Sequence, residues 1–180
     1  MSVRPLLERT EASWRIDRSA LVIPPHMVVS GRAEQNVSLV GDDEWLLECA
    51  IARPAKGHES RIRFYRIADI DERELIREYL FLSLHYEPRD EVRCRLGTLK
   101  PGSLMHMSII ARQFLREVRE TGLQLHEIDQ PWLDHWLSKK RHLTPATLVY
   151  KIVGIRRLAL YAPLMSFRGL EITPWGNRTA

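Results

Sequence analysis

The sequence predicts a mainly α fold in which a small α+β unit precedes a helical bundle. Apolar residues recur at helical spacing in three stretches of the second half, 104–120, 131–137 and 145–162. Two short breaks separate them, one at Thr121-Gly122 and one at residues 138–142. We therefore expect the apolar faces of three helices to pack on each other and to hold the remaining side chains rigidly.

Each of these helices has a recognisable start. Ser103 precedes the first helix, Asp129 with Pro131 opens the second, and Thr144 with Pro145 opens the third. Serine, aspartate and threonine side chains accept hydrogen bonds from the unpaired amides of a first turn, and proline is tolerated there because its missing donor would not be used. The sequence thus predicts a capped N-terminus at all three positions.

The last helix is expected to bury one face. The predicted core stripe consists of apolar residues that lie within about 60° of one another at 100° per residue, namely Leu148, Ile152, Ile155 and Ala159. The opposite side, which we expect to face away from the core, holds Tyr150, Gly154, Arg157 and Tyr161.

Three domains are predicted. Residues 1–44 are expected to form an extended arm that is ordered in part, because Pro24 and Pro25 exclude a central strand or a helix interior from its apolar stretch. Residues 45–96 are predicted to form a small strand–helix unit, and residues 97–180 the helical domain.

The strand–helix unit is predicted from two adjacent patterns. In residues 61–67 Ile62 and Phe64 share one face of an extended chain, and Arg61, Arg63 and Tyr65 share the other, which is typical of a half-buried strand. A helix is expected to follow, with Asp69 or Asp71 as its N-cap and Pro88 after its end.

Positive charge is concentrated in the second half of the chain. Residues 1–90 hold 13 Lys+Arg and 16 Asp+Glu, a net of −3, whereas residues 91–180 hold 14 and 7, a net of +7. A folded basic half favours a polyanionic partner, although a solvated basic face is the alternative.

Seven residues are candidates for DNA contacts: Lys139, Lys140, Arg141, Thr144, Lys151, Arg156 and Arg157. The first three form the densest basic cluster, and cations that neutralise phosphates gain affinity by releasing counterions. Thr144 lies at a helix N-terminus, which is itself an anion site. Arginine on the last helix suits guanine edges and phosphates. The alternative for each is a solvated loop or helix surface.

No pattern for metal, nucleotide or cofactor chemistry is present. The histidines form no HxxxH or HExxH pair, and neither GxxxxGK[ST] nor GxGxxG occurs. Cys49 and Cys94 form no CxxC, which is typical of reduced cysteines in a cytosolic protein; a single disulfide is the alternative. No secretory signal or membrane-spanning apolar run is visible. We expect a cytoplasmic protein with no cofactor, metal ion, membrane partner or small-molecule substrate.

The order of helical signals in the second half matches a known arrangement. Phe114-Leu115 is followed by a short helix with Ile128-Asp129 and Trp136-Leu137, and then by a helix that runs from Thr144 through Ile155-Arg156-Arg157-Leu158 to Tyr161. Thr173-Pro174-Trp175 stands where a connecting turn would lie. Residues 102–175 thereby resemble the SAM-like core-binding domain found in the N-terminal part of tyrosine recombinases, or phage-type integrases.

The resemblance implies that this chain clamps duplex DNA for integration or recombination and assembles with other copies on that DNA. Members of the family cut and rejoin DNA with a separate C-terminal domain that supplies a tyrosine nucleophile and arginine, lysine and histidine groups. That series is missing here, so we expect no enzymatic activity from this chain alone. The alternative is a helical protein–protein interaction module without direct DNA contact. A small enzyme of another type is a further alternative, for which no constellation of residues is present.

Overall fold

The computed structural model describes residues 5–10, 16–53, 60–87, 98–172 and 174–175. In these residues the chain is mainly helical and carries a two-stranded antiparallel sheet, so the predicted fold class is confirmed at this level. The elements in chain order are β1 (Glu44–Leu46), β2 (Arg61–Arg63), α1 (Ile70–His85), α2 (Pro101–Arg119), α3 (Gln130–Ser138) and α4 (Pro145–Tyr161). Cys94 lies outside the described residues.

The described residues belong to two compact units. We call residues 16–53, 60–87 and 98–109 the sheet-containing unit, and residues 5–10, 110–172 and 174–175 the helical unit. This division differs from the predicted boundaries. Val22, Ile23 and Val40 are almost wholly buried in the sheet-containing unit, so they belong to a core and not to an extended arm.

The sheet-containing unit is built around Trp45 of β1. Its ring is fully buried and meets Phe64 edge to face, with 4.8 Å between the ring centroids. The strand predicted over residues 61–67 is shorter in the structure, because the chain leaves β2 after Arg61–Arg63 and forms a 3-10 turn at Phe64–Arg66. Apolar burial continues through this turn, which explains why the alternating pattern is longer than the strand.

The predicted helix N-caps are confirmed at three positions. The capping side chains accept hydrogen bonds as follows: Asp69 from the amide of Glu72 (3.0 Å), Asp129 from that of Trp132 (2.8 Å) and Thr144 from that of Thr147 (3.3 Å). Helix α2 begins at Pro101, earlier than the predicted start after Ser103. After α2 the chain turns at Gly122, whose φ of 73° is the left-handed conformation that glycine adopts readily.

Phe114 of α2 joins α2 to α3 in the helical unit. Its ring centroid lies 6.0 Å from that of Trp132 and 5.7 Å from that of Trp136, and both pairs are edge to face. Phe114 itself is almost fully buried. Aromatic pairs in this geometry stabilise a fold beyond the area they bury, so this cluster fixes the position of α3 on α2.

The chain ends of the helical unit are held together by backbone hydrogen bonds. The amide of Thr10 donates to the carbonyl of Ser166 (2.9 Å), and that of Arg168 donates to the carbonyl of Glu8 (2.8 Å). Gly169 allows the C-terminal segment to approach the end of α4 closely, since a Cβ at this position would lie 2.5 Å from the Cβ of Ala162. The C-terminal segment therefore lies close to the C-terminal end of α4.

Candidate nucleic-acid interface

The link between α3 and α4, residues 139–144, forms an ordered corner. The amide of Lys140 donates to the carbonyl of Leu137, and that of Leu143 donates to the carbonyl of Lys140, both at 2.9 Å. Lys139 and Arg141 are exposed, and within the described ranges no ion pair joins either side chain to another residue. Two cations are therefore held on a defined turn with their charge open to solvent.

The N-terminus of α4 adjoins these cations. Thr144, Pro145 and Ala146 are all exposed, and the first turn of the helix carries no acidic residue. The amides of a first turn carry a partial positive charge that favours anions. An anion that approaches the corner therefore meets two cations and a helix N-terminus that no carboxylate in that turn neutralises.

Lys140 does not share the exposed position that the sequence suggested for the basic cluster. Its Nζ donates to Glu117 Oε1 at 2.8 Å and lies 5.4 Å from the centroid of the Trp136 ring. The second carboxylate oxygen, Oε2, accepts from Trp136 Nε1 at 2.5 Å. Lys140 is thus held inward by a carboxylate on α2, and the three corner cations do not act as one group.

Lys151 is buried instead of facing solvent on a flank of α4. Its Nζ donates to Gln113 Oε1 at 3.0 Å, and 9% of the residue is exposed. Burial lowers the pKa of the Lys151 amine, the nearby Lys140 cation lowers it further, and the Glu117 carboxylate partly opposes this shift. In this position Lys151 is a structural amine and has no access to a phosphate.

The prediction that α4 buries one face only is wrong over its second half, where the opposite face is buried as well. Arg157, expected to face away from the core, is only 4% exposed, and Gly154 and Tyr161 are buried as well. Leu148 and Ile152 of the predicted core stripe are only half-buried, whereas Ile155 and Ala159 are buried as expected.

The reason lies beyond the helix itself. Met165, Phe167 and Leu170 of the C-terminal segment are buried, and this segment closely approaches the end of α4 at Ala162. The end of the helix therefore has a packing partner that the periodicity of α4 does not predict. Arg156 is half-buried, and Tyr150 is exposed as predicted.

Replacing Lys151 with methionine is expected to stabilise the protein by about 1 kcal/mol at pH 7, because it removes a buried cation that another cation repels. The folded pKa lies below the ordinary value of 10.5, so the unfolded chain binds more protons between these two values, and wild-type stability rises with pH in that window. The advantage of Lys151→Met should therefore shrink as the pH approaches about 10. Thermal denaturation at both pH values measures this. A variant less stable than wild type at pH 7 would contradict it.

A groove next to the corner was not foreseen from the sequence. It has a volume of about 690 Å³ and lies between the C-terminal half of α2 and α3. Its walls include Arg116, Glu120, Trp132, Trp136, Lys139 and Lys140. We call it the Trp132 groove. A signal for it does exist, because Arg116 and Glu120 are spaced by one helical turn, as are Trp132 and Trp136. A segment with two charged residues and a helix with two aromatic residues at this spacing can line such a groove. The spacing alone does not show that the two segments pack against each other.

Among the described residues, no group of three or more histidine, cysteine, aspartate or glutamate side chains is placed to hold a metal ion. None of the helices described here combines the length and apolar character that crossing a membrane requires. No family model, curated protein or solved structure matches the chain.

Proposed function

We propose that the helical unit binds the sugar–phosphate backbone of duplex DNA through the corner at residues 139–144. The observation that carries this proposal is the exposure of Lys139 and Arg141 beside the exposed first turn of α4, which carries no acidic residue. These are three positively polarised groups on one ordered turn.

The chemistry of the corner suits phosphates better than base edges. Lysine and arginine that neutralise phosphates release condensed counterions, and helix N-termini also contact phosphate oxygens. Such contacts fix the position of a protein on DNA and carry little sequence information. The net charge of +7 in residues 91–180 adds a longer-range attraction. Of the seven candidate residues, the proposal rests on Lys139, Arg141 and Thr144.

The proposal extends to the role of the unit in a larger activity. We propose that it is a SAM-like core-binding module of the tyrosine recombinase type, with duplex DNA as its partner and further copies of the chain beside it on the DNA. The support is the order of capped helices and the Phe114 cluster between α2 and α3. The proposal assigns DNA binding to this chain and no bond-breaking chemistry.

A helical protein–protein interaction module is the second candidate. Val149 is 57% exposed and Tyr150 is 52% exposed, and both lie in the first half of α4. Large side chains at such positions can bury area against another protein. This candidate predicts an association that depends on apolar contact.

Salt distinguishes the two candidates. Fluorescence anisotropy of a labelled duplex of about 20 base pairs is measured against the full chain at about 50 and 200 mM salt. Two to three phosphate contacts should lower the affinity by at least about tenfold over this range. Absence of binding at the lower concentration would exclude the DNA proposal. Self-association that is insensitive to salt, measured by sedimentation in the absence of DNA, would then support the protein-interaction module.

A further inference from the structure

The Trp132 groove has features that backbone binding does not require. We infer that it receives one unpaired nucleotide next to a duplex held at the corner, which gives this chain a preference for DNA that contains an unpaired base. The inference rests on the proposed function, because Lys139 belongs both to the corner and to the wall of the groove.

Trp132 supplies the surface on which a base would stack. It is half-buried, it lines the groove, and its contact with Phe114 fixes its ring. Trp136 lines the same groove but is 5% exposed, because Lys140 lies over its ring and Glu117 accepts its N–H. Stacking of a base on an aromatic side chain contributes about 1–3 kcal/mol, and of the two tryptophans in this groove Trp132 is the one that is open to such a contact.

The polar groups of the groove match the other parts of a nucleotide. Arg116 and Lys139 are exposed cations that suit its phosphate. Glu120 is an exposed carboxylate that accepts hydrogen bonds, as from the amino group of cytosine. The carboxylate of Glu117 is already engaged by Lys140 and Trp136. A base with an exocyclic amino group should therefore bind better than thymine, which has none.

The volume of the groove and the energetic cost of extruding a paired base both favour an unpaired nucleotide as the ligand. A volume of about 690 Å³ lies within the range of about 300–1,000 Å³ typical of small-molecule sites. A base inside an intact duplex is stacked between its neighbours and must be extruded, at a cost of a few kcal/mol, before it can contact a side chain on its face. A base that is already unpaired avoids most of this cost.

The test compares labelled duplexes that differ only in one extra, unpaired nucleotide at the centre, either cytosine or thymine. Wild-type full chain should bind the cytosine-bulged duplex about tenfold more tightly than the intact one. Trp132→Ala should lose this preference while keeping its affinity for the intact duplex. Glu120→Gln should lower the preference for the cytosine bulge over the thymine bulge.

Two variants guard against a loss of folding in Trp132→Ala. Trp132→Phe keeps an aromatic ring and should retain part of the preference. Glu120 is exposed, so its replacement should leave the melting temperature unchanged, and the cytosine-to-thymine ratio can be read without a folding defect. If Trp132→Ala does not fold, these two variants decide the question.

Each outcome bears on a separate claim. Wild-type protein that binds intact and bulged duplexes equally would overturn the nucleotide site and leave backbone binding in place. Loss of intact and bulged binding to the same extent in a folded Trp132→Ala protein would assign Trp132 a structural role and also overturn the site. Absence of binding to every duplex would overturn both the site and the proposed function.

Discussion

Replacing Lys139 and Arg141 together with alanine is expected to lower the affinity for duplex DNA by at least about tenfold at low salt. Both side chains are exposed on an ordered corner, so their removal should leave the melting temperature almost unchanged. The dependence of affinity on salt should also weaken, with the slope of log K against log salt reduced by about 2, because two phosphate contacts are lost. Anisotropy titrations of wild type and variant over a range of salt concentrations give both quantities.

The matched control removes the same charge elsewhere. Arg66 and Lys100 are exposed and belong to the sheet-containing unit. The Arg66→Ala/Lys100→Ala protein has the same net charge as the corner variant and should bind DNA nearly as well as wild type. If both double variants lose the same affinity, binding depends on the net charge of the chain and the corner has no special role.

Replacing Glu117 with alanine is expected to destabilise the protein by about 2 kcal/mol. The substitution removes the acceptor of both the Lys140 ammonium and the Trp136 indole N–H, and these donors lie in a partly buried site. It also removes a nearby negative charge that opposes the lowering of the Lys151 pKa by burial and by Lys140. For a unit of this size the melting temperature should fall by about 10 °C. Thermal denaturation monitored by tryptophan fluorescence checks this.

Glu120 provides the control for this prediction. It lies three residues after Glu117, directly after the end of α2, and is exposed, so Glu120→Ala should change the stability by less than about 0.5 kcal/mol. Glu117→Gln keeps an acceptor for the Trp136 N–H but loses the charge that holds Lys140. Its melting temperature should therefore lie between those of Glu117→Ala and Glu120→Ala. Equal melting temperatures for Glu117→Ala and Glu120→Ala would show that the Lys140–Glu117–Trp136 cluster does not hold α3 on α2.

Features with a local cause could be predicted from the sequence. The starts of α1, α3 and α4 depend on side chains that bond amides three residues later, and all of these partners lie within one turn. The turn at Gly122 depends on a backbone conformation that glycine adopts more readily than other residues. Local features of this kind can be predicted from a few neighbouring residues.

Features that depend on distant segments could not be predicted. Lys140 is drawn inward by Glu117 on another helix, and Lys151 by Gln113. Arg157 is buried, and the C-terminal segment approaches the end of α4 at Ala162. The periodicity of α4 contains no information about either fact. For the same reason residues 16–44 gave no sign that Val22 and Val40 enter a core. A sequence-based list of basic residues therefore mixed exposed cations with structural ones.

The most direct test of the central claim is to locate the DNA on the protein. In ¹⁵N-labelled full chain titrated with a short duplex, amide signals from residues 139–147 should shift first and most, because this span holds the exposed cations and the first turn of α4. Signals from residues 60–87 in the sheet-containing unit should stay in place. Shifts confined to that unit, with the signals of 139–147 unmoved at saturating DNA, would contradict the claim.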